Sequence, residues 1–245
     1  MTNHFERFGI AHLSPSSLNL YAANPSLWCL RYLYKVDDAM GPAAHRGTAV
    51  EDGLSHWLQT HDITASANIA LDRFASLTHE MPGPETEAER ANILPMLVQA
   101  QAACKEYGNP EKRQLRVEHL VDGVAVPIIG YSDFEWRTFG IDLKTTKQCP
   151  SQPRDEHVRQ VSLYAKCASK PFRLVYVTGK KSATYQVGDN TAANGLADLE
   201  RIARSVQHLL ARSETPDEAA QIFSPDYSDF RWSPTTRDSA QQVWR

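Results

Sequence analysis

Three charged residues in the middle of this chain have types and spacing that could hold a metal ion. Asp142 and Lys144 are two residues apart in a run, residues 141–146, that alternates apolar and polar side chains. Side chains two apart on a strand point to the same face, so this acid and this base project together. Asp133 lies in the preceding apolar run, which the turn at residues 138–140 should fold back antiparallel. The two carboxylates are therefore expected side by side across the strand pair.

This set of side chains favours metal-assisted hydrolysis of a phosphodiester. Two neighbouring carboxylates repel each other unless a cation lies between them, and hard oxygen ligands suit Mg²⁺ or Mn²⁺. Because Mg²⁺ keeps several waters and takes few protein ligands, two aspartates and a substrate phosphate would suffice to hold it, and one or two ions are expected. The metal would supply a hydroxide, and Lys144 would hold the attacking water or neutralise the phosphate. The alternative is a surface hairpin whose exposed charges are worth under about 1 kcal/mol.

Two helices are expected to bring further polar side chains to the hairpin. Over residues 45–59 the apolar residues recur at helical spacing, which places Glu51 at the border of the buried stripe. Gln160 and Tyr164 are four residues apart on a helix that begins near Pro153, so they share one face. The alternatives are a solvated helix-edge acid for Glu51, and a helix face that packs an aromatic ring on the sheet for the other two.

The remaining patterns predict an α/β (α+β) fold, with a central mixed β-sheet flanked by helices. Ser14 followed by Pro15 indicates a helix start, and Asn24 followed by Pro25 indicates a restart. Helices are predicted at residues 14–36, 44–59 and 196–210 and around Gln160, and strands at about 114–121, 124–136, 141–146, 172–178 and 182–187.

A chain of 245 residues is long enough for one well-buried domain, so we expect a single domain over residues 1–245. Residues 62–112 are expected to form a mostly helical insertion, interrupted by the Pro-Gly-Pro sequence after Met81. The C-terminal tail, residues 220–245, concentrates aromatic and turn residues and is expected to pack on the core. Its rings could instead stack on unpaired bases, but a loop pinned by buried rings is favoured.

The formal net charge of −3 is unusual for a protein that contacts nucleic acid, because phosphate contacts supply most non-specific affinity. The local charge differs. Residues 144–181 contain nine Lys or Arg and two acidic residues, an excess of seven positive charges. Within this segment Lys147, Arg154 and Arg159 are predicted to bind nucleic acid because they adjoin the hairpin. A solvated charged face is the alternative.

The four cysteines, Cys29, Cys104, Cys149 and Cys167, form no C-x-x-C pair, which argues against a zinc ribbon and favours reduced thiols. No run of about 18 apolar residues occurs, and the N-terminus lacks a charged-then-apolar signal. We therefore expect a soluble, cytoplasmic protein that does not contact a membrane.

Four further motifs, in order along the chain, accompany the Asp142-Leu-Lys144 tripeptide. Together they resemble the PD-(D/E)XK nuclease superfamily, and in particular its RecB-like and phage lambda-type exonuclease branch. The ordered set is far more specific than any one member. The motifs are Leu13-Ser-Pro-Ser-Ser-Leu-Asn-Leu-Tyr21 with Asn24-Pro25 and residues 28–32, then Arg46-Gly47-Thr-Ala-Val-Glu51, then Glu118 on the strand before Asp133, and last Gln160-Val-Ser-Leu-Tyr164.

The resemblance implies a restriction-endonuclease-like core and a role for each matching residue. RecB-type enzymes usually carry histidine at the position of Glu51, whereas lambda-type enzymes carry glutamate, so a shell of three carboxylates is expected. Glu51, Asp133, Asp142 and the backbone carbonyl of Leu143 would hold Mg²⁺ or Mn²⁺. The expected catalytic residues are Glu51, Asp133, Asp142, Lys144, Gln160 and Tyr164, and Arg46 is expected to join the nucleic-acid contacts.

Some relatives in this family hold an iron–sulfur cluster through one early and three late cysteines. Here Asn24 stands where the early cysteine often lies, and no cysteine follows Cys167. No iron–sulfur cluster is therefore expected.

The resemblance further implies a DNA exonuclease that resects duplex ends or single strands in phage recombination, repair or replication. Such an enzyme would work in a bacterial cell or a phage-infected host and hand single strands to an annealing protein. The chain has no G-x-x-x-x-G-K-[ST] phosphate loop, so unwinding would need a partner or strand threading through an oligomeric ring. The alternatives are a structure-specific or site-specific endonuclease, and a catalytically silent DNA-binding module.

Overall fold

The computed structural model describes residues 3–38 and 40–245. These residues group into two compact units. The helical unit contains the described residues within Met1–Ala39 together with Val117–Gly130 and Ala193–Arg245, and the hairpin unit contains Met40–Arg116 and Tyr131–Ala192. All residues predicted to be catalytic lie in the hairpin unit. The expectation of a single domain with a helical insertion stays a prediction.

The described residues contain ten helices and five strands. The helices are α1 (His4–Arg7), α2 (Pro15–Ala23), α3 (Pro25–Tyr32), α4 (Pro42–Thr60), α5 (Ile63–Thr78), α6 (Pro84–Cys104), α7 (Asp155–Ala168), α8 (Asp189–Ala211), α9 (Pro216–Ala220) and α10 (Pro234–Val243). The strands are β1 (Lys112–His119), β2 (Ile128–Glu135), β3 (Gly140–Thr145), β4 (Phe172–Val177) and β5 (Ser182–Gln186).

The five strands form one mixed sheet in the order β1-β2-β3-β4-β5. β2 and β3 are antiparallel, β3 and β4 are parallel, and β4 and β5 are antiparallel. A parallel pair needs a crossover connection, which α7 supplies between β3 and β4. The predicted mixed sheet with flanking helices is confirmed.

The core of the hairpin unit lies between helices α4, α5 and α6 and one face of strands β2, β3 and β4. Ile141 and Leu143 of β3 belong to this core, as the alternating pattern predicts. The helices approach closely, since a Cβ added at Gly53 would lie 2.9 Å from the Cβ of Ala70. Burial of Ile141 and Leu143 leaves Asp142 and Lys144 on the other face of the strand.

The helical unit begins with the helix pair that the sequence predicts. Ser14 caps α2 through a capping box with Ser17, and Pro15 occupies the first helical position. Asn24 ends α2 and caps α3 by accepting a hydrogen bond of 2.9 Å from the Leu27 N–H. α3 ends at Tyr32, four residues before the predicted end.

The structure differs from the sequence predictions at two further places. The strand expected at residues 124–136 begins only at Ile128, because the chain turns through Gly123, with φ at +81°, and Pro127 has no N–H for a ladder. The C-terminal tail is not wholly a loop, because Ser233 caps helix α10 with a capping box. Trp232 is buried beside Leu27 and Leu30, which agrees with a pinned tail.

None of the helices in the described part of the chain combines the length and the apolar character that a membrane span needs.

Candidate active site

The β2–β3 hairpin brings Asp133 and Asp142 together. The strand register pairs Phe134 with Ile141, and continued by one residue it sets Asp133 opposite Asp142. Asp133 Oδ2 accepts a hydrogen bond of 2.7 Å from the backbone N–H of Leu143. Asp142 is completely buried and Asp133 is nearly so. The predicted pair of carboxylates is thus present, inside the protein rather than on an exposed hairpin.

Lys144 connects the carboxylate pair to helix α7. Its Nζ lies 2.8 Å from Asp142 Oδ2 and donates a hydrogen bond of 2.8 Å to Gln160 Oε1. Gln160 Nε2 in turn donates to the Tyr164 hydroxyl at 2.8 Å. The polar face of α7 that the sequence predicts therefore lies against the hairpin, and it fixes the lysine ammonium between strand and helix.

The electrostatics of the pair show an excess of negative charge. Burial raises the pKa of Asp142, and the ion pair with Lys144 offsets only part of this rise. Burial and the charges of Asp142 and Glu51 raise the pKa of Asp133 well above its ordinary value. Burial disfavours the Lys144 ammonium, but the carboxylates of Asp142 and Asp133 outweigh it and raise the lysine pKa. One lysine therefore does not neutralise the acids that surround it.

Glu51 lies half-buried on α4, where its Oε1 accepts a hydrogen bond from Gln114 Nε2. Burial raises the Glu51 pKa, Gln114 and Arg113 oppose the rise, and Asp142 and Asp52 add to it. No group of three or more His, Cys, Asp or Glu among the described residues is close enough to hold a metal ion. The predicted set of three carboxylates stays a prediction.

A family profile described as the PD-(D/E)XK nuclease superfamily matches residues 12–233 of the 245-residue chain. The chain belongs to the PD-(D/E)XK nuclease superfamily. The matched segment includes every residue that is predicted to act in catalysis. No curated protein matches the chain.

Two solved structures resemble the chain to different degrees. The crystal structure of a protein from Eubacterium rectale, named "Putative exonuclease", aligns with a TM-score of 0.59 and 13% identity over 93% of this chain and 88% of that chain. At this identity the similarity shows the fold alone. The crystal structure of SSO0001 aligns with a TM-score of 0.36 and 17% identity over 75% of this chain and 84% of that chain, which is too low to support an argument.

PD-(D/E)XK nucleases generally use divalent metal ions, and the donor set of this chain fits such an ion. Both oxygens of Asp142 are buried; Oδ2 contacts Lys144, but Oδ1 has no hydrogen-bond partner among the described residues. That state is unusual, because nearly all buried polar groups in proteins are hydrogen-bonded. Asp133 adds a second hard oxygen donor, which suits Mg²⁺ or Mn²⁺. The assignment of these carboxylates and of the Leu143 carbonyl as ligands stays a prediction.

In this PD-(D/E)XK chain, helix α4 also contacts the end of strand β3, through Arg46. Arg46 is buried and forms an ion pair with Glu89 of α6. Its Nη2 donates to the backbone oxygen of Thr145 at 3.2 Å and to the side-chain hydroxyl at 3.3 Å. Gly47 permits this approach, since an added Cβ would lie 3.3 Å from Thr145 Oγ1. The structure buries Arg46 in these contacts, and its predicted contact with nucleic acid stays a prediction.

The basic segment contains cations that the fold itself uses. Lys170 Nζ lies 2.8 Å from Glu135 Oε2, and the Arg173 guanidinium lies 4.3 Å above the ring of Phe139. These two bases stabilise the unit rather than face a ligand. Of the residues predicted to bind nucleic acid, Lys147 and Arg154 are exposed and Arg159 is half-buried on α7.

His157 is a residue of the site that no motif marks. It lies three residues before Gln160 on α7, and its Nδ1 is 2.8 Å from the Tyr176 hydroxyl. The same hydroxyl accepts a hydrogen bond of 3.2 Å from the Arg154 N–H. Burial, together with the charges of Lys144 and Arg154, lowers the pKa of His157 to about 3, so the ring is neutral. Helical spacing from Gln160 was the one signal in the sequence that could have found it.

Proposed function

We propose that this chain is a Mg²⁺- or Mn²⁺-dependent deoxyribonuclease that degrades DNA from its ends. The observation that supports it most is the contact series from Asp142 through Lys144 to Gln160, with Asp133 beside it. Membership of a nuclease superfamily supports hydrolysis of phosphodiesters. The name of the Eubacterium rectale protein favours exonuclease action among the nuclease activities.

Each residue of the site has a proposed role. Asp133, Asp142, the Leu143 carbonyl and Glu51 would hold one or two ions. A bound ion supplies a hydroxide at neutral pH and stabilises charge on the leaving oxygen. Lys144, whose raised pKa keeps it charged, holds the attacking water or neutralises charge on the scissile phosphate. Its partner Gln160 keeps the ammonium at a fixed point.

The biological setting that we propose is the resection of DNA ends in recombination, repair or replication, in a bacterial cell or a phage-infected host. A single-strand annealing protein would receive the product strand. Threading one strand through an oligomeric ring would keep the substrate at the buried site. Both the annealing partner and the ring are proposals carried by the resemblance to phage recombination exonucleases.

The test compares end-labelled linear duplex, linear single strand and closed circular DNA, each with Mg²⁺, Mn²⁺ or EDTA. We expect metal-dependent loss of linear DNA only, and the label pattern gives the polarity of degradation. Lys144→Ala should remove this activity, whereas the matched control Lys166→Ala, an exposed lysine on the same helix as Gln160, should keep it.

Two outcomes would contradict the proposal. Cutting of closed circles would identify an endonuclease. Absence of cutting by a folded protein under every metal condition would identify a silent DNA-binding module.

A further inference from the structure

Two clefts in the hairpin unit meet at the turn between β4 and β5. The larger has a volume of about 830 Å³ and lies between the loop at residues 148–155 and the start of β5, with Arg154 and Lys181 in its lining. The smaller, of about 300 Å³, contains Lys147 and Lys180 in its lining. Because adjacent residues of the turn line different clefts, the turn lies between the two clefts.

The turn that divides the clefts has an ordered backbone. Thr178 Oγ1 accepts hydrogen bonds from the N–H groups of Lys180 at 3.2 Å and of Lys181 at 3.0 Å. The Thr178 N–H donates to the Lys181 carbonyl at 2.9 Å. These bonds fix the position from which each lysine side chain leaves the backbone.

The loop on the other side of the larger cleft is held in the same way. The Tyr185 hydroxyl donates a hydrogen bond of 2.6 Å to the Pro150 carbonyl. The Arg154 N–H donates to the Tyr176 hydroxyl of β4 at 3.2 Å. The clefts are therefore preformed, which lowers the entropy lost when a ligand binds.

The cations of the clefts are available to a ligand. Lys147, Lys180 and Lys181 are exposed, and none forms an ion pair with a residue in the described part of the chain. Arg154 lies 3.7 Å from Glu156, a loose contact. Asp155 is the one acid among the described residues that line the two clefts. A polar concave surface with this excess of cations fits a ligand that carries several negative charges.

The clefts begin beside the proposed catalytic residues. Thr146, two residues after Lys144, lines the smaller cleft. The Tyr176 hydroxyl bonds both Arg154 of the larger cleft and His157 of the α7 face that touches the hairpin. Both clefts are thus connected to the proposed site through neighbouring residues of β3 and β4.

We propose that the two clefts bind neighbouring phosphates of one DNA strand. Lys147 and Lys180 hold one phosphate, and Arg154 and Lys181 hold another on the opposite side of the turn. The ligand is a single strand, because a flexible strand can bend over the turn into both clefts, whereas a duplex with a persistence length of about 50 nm cannot. This inference rests on the proposed function in one respect, namely that the chain acts on DNA.

The test measures binding of a fluorescent single-stranded oligodeoxynucleotide in EDTA, so that no strand is cut. In Lys180→Ala/Lys181→Ala we expect affinity to fall about 25-fold at about 0.1 M salt, and the slope of log K against log salt to flatten by about 1.4. The control Lys112→Ala/Lys166→Ala removes the same charge from exposed lysines outside both clefts and should keep the slope of the unaltered protein.

The outcomes separate this inference from the proposed function. An unchanged slope in the cleft variant, or an equal loss in the control, would overturn the cleft assignment even if the protein degrades DNA. A flattened slope in the cleft variant alone would support the clefts even if the protein cuts no substrate, and the exonuclease proposal would then fail by itself.

Discussion

Two buried acid–lysine pairs on neighbouring strands use their carboxylate oxygens differently. Glu135 of β2 lies 2.8 Å from Lys170, and its other oxygen accepts a hydrogen bond of 2.6 Å from Ser132. Asp142 of β3 lies at the same distance from Lys144 through its Oδ2, but its Oδ1 has no hydrogen-bond partner among the residues that the structure describes. Both carboxyl groups are almost completely buried.

The difference indicates which pair is a structural ion pair and which pair is the candidate metal site. Taking a carboxylate out of water costs several kcal/mol unless hydrogen bonds replace its lost hydration. Glu135 has those bonds, so its arrangement is complete within the protein. Asp142 Oδ1 lacks such a bond, and the charge of Asp142 raises the pKa of Asp133 beside it. A divalent cation would relieve both effects, which is why the unsatisfied pair is the better candidate for a ligand site.

The strongest way to break this comparison is to neutralise each acid in turn. Asp142→Asn should lower nuclease activity more than about 100-fold, because an ion loses a direct ligand. Without metal, the variant should be at least as stable as the unaltered protein. The raised pKa of Asp142 shows that the negative charge of this carboxylate is disfavoured in the folded protein. DNA degradation rates and urea denaturation measure the two effects.

Glu135→Gln is the matched control for that substitution. It leaves Lys170 without its counter-charge and should lower the free energy of unfolding by about 3 kcal/mol, while the folded fraction keeps its activity. Equal loss of activity in the two folded variants would show that the structural and catalytic pairs cannot be separated in this way.

Much of the fold could be predicted because local signals and tertiary packing agree. The capping residues Ser14 and Asn24 mark both helix starts, and alternation over residues 141–146 gives the buried and polar faces of β3. The start of α10 carries the same signature at Ser233 and Pro234, but the surrounding aromatic and turn residues favoured a loop. The late start of β2 was harder to foresee, because a turn at Gly123 competes with apolar residues on both sides.

The site was predictable where a side chain acts through its own strand or helix face. Spacing alone places Asp142 with Lys144 and Gln160 with Tyr164. Burial of a long side chain depends on partners far along the sequence, so it could not be predicted in the same way. Arg46 looks like an exposed cation next to a glycine, and only its pairing with Glu89, 43 residues away, shows that it is enclosed.

The Arg46–Glu89 pair extends the comparison to a second structural ion pair. Arg46→Ala should lower the free energy of unfolding by about 3–5 kcal/mol, because it leaves a buried carboxylate without a partner. Arg46→Met/Glu89→Leu should regain most of that stability. Urea denaturation of the single and double variants measures the recovery.

DNA binding by the double variant decides between the two roles of Arg46. If it positions β3, the salt dependence of binding should equal that of the unaltered protein. A slope flattened by about 0.7 would instead indicate a lost phosphate contact, and the arginine would return to the nucleic-acid surface.

The pH dependence of stability is a further test of the difference between the Asp142 pair and the Glu135 pair. Asp133, Asp142 and Glu51 have raised pKa values in the folded protein, so their contribution is fully present below the unfolded values of about 4 and is lost as pH rises. Thermal denaturation in EDTA should therefore show stability that falls as the pH rises above about 4. Mg²⁺ should reverse the fall, because ions bind the deprotonated carboxylates.

The stabilisation by Mg²⁺ has its own controls. Glu135→Gln should keep this stabilisation, whereas Asp133→Asn/Asp142→Asn should remove it. If Mg²⁺ stabilised the double variant as much as the unaltered protein, the ion would bind elsewhere.

The last expected effect concerns His157, whose pKa is shifted in the opposite direction, so that its effect on stability also has the opposite sign. Its pKa is lowered to about 3 in the folded protein, so it takes up a proton on unfolding, and stability should be lost as pH falls from about 6.5 towards 3. Because the Arg154 N–H donates to the Tyr176 oxygen, the Tyr176 hydroxyl donates its own proton to His157 Nδ1. Only a neutral imidazole ring can accept that proton.

His157→Gln keeps an acceptor without a titrating group and should flatten the acid limb of a pH–stability curve. His12→Gln, at an exposed position, should leave that limb unchanged. If the acid limb of the curve stayed steep in His157→Gln, the His157 ring would be charged in the folded protein. The Tyr176 hydroxyl would then not donate to it.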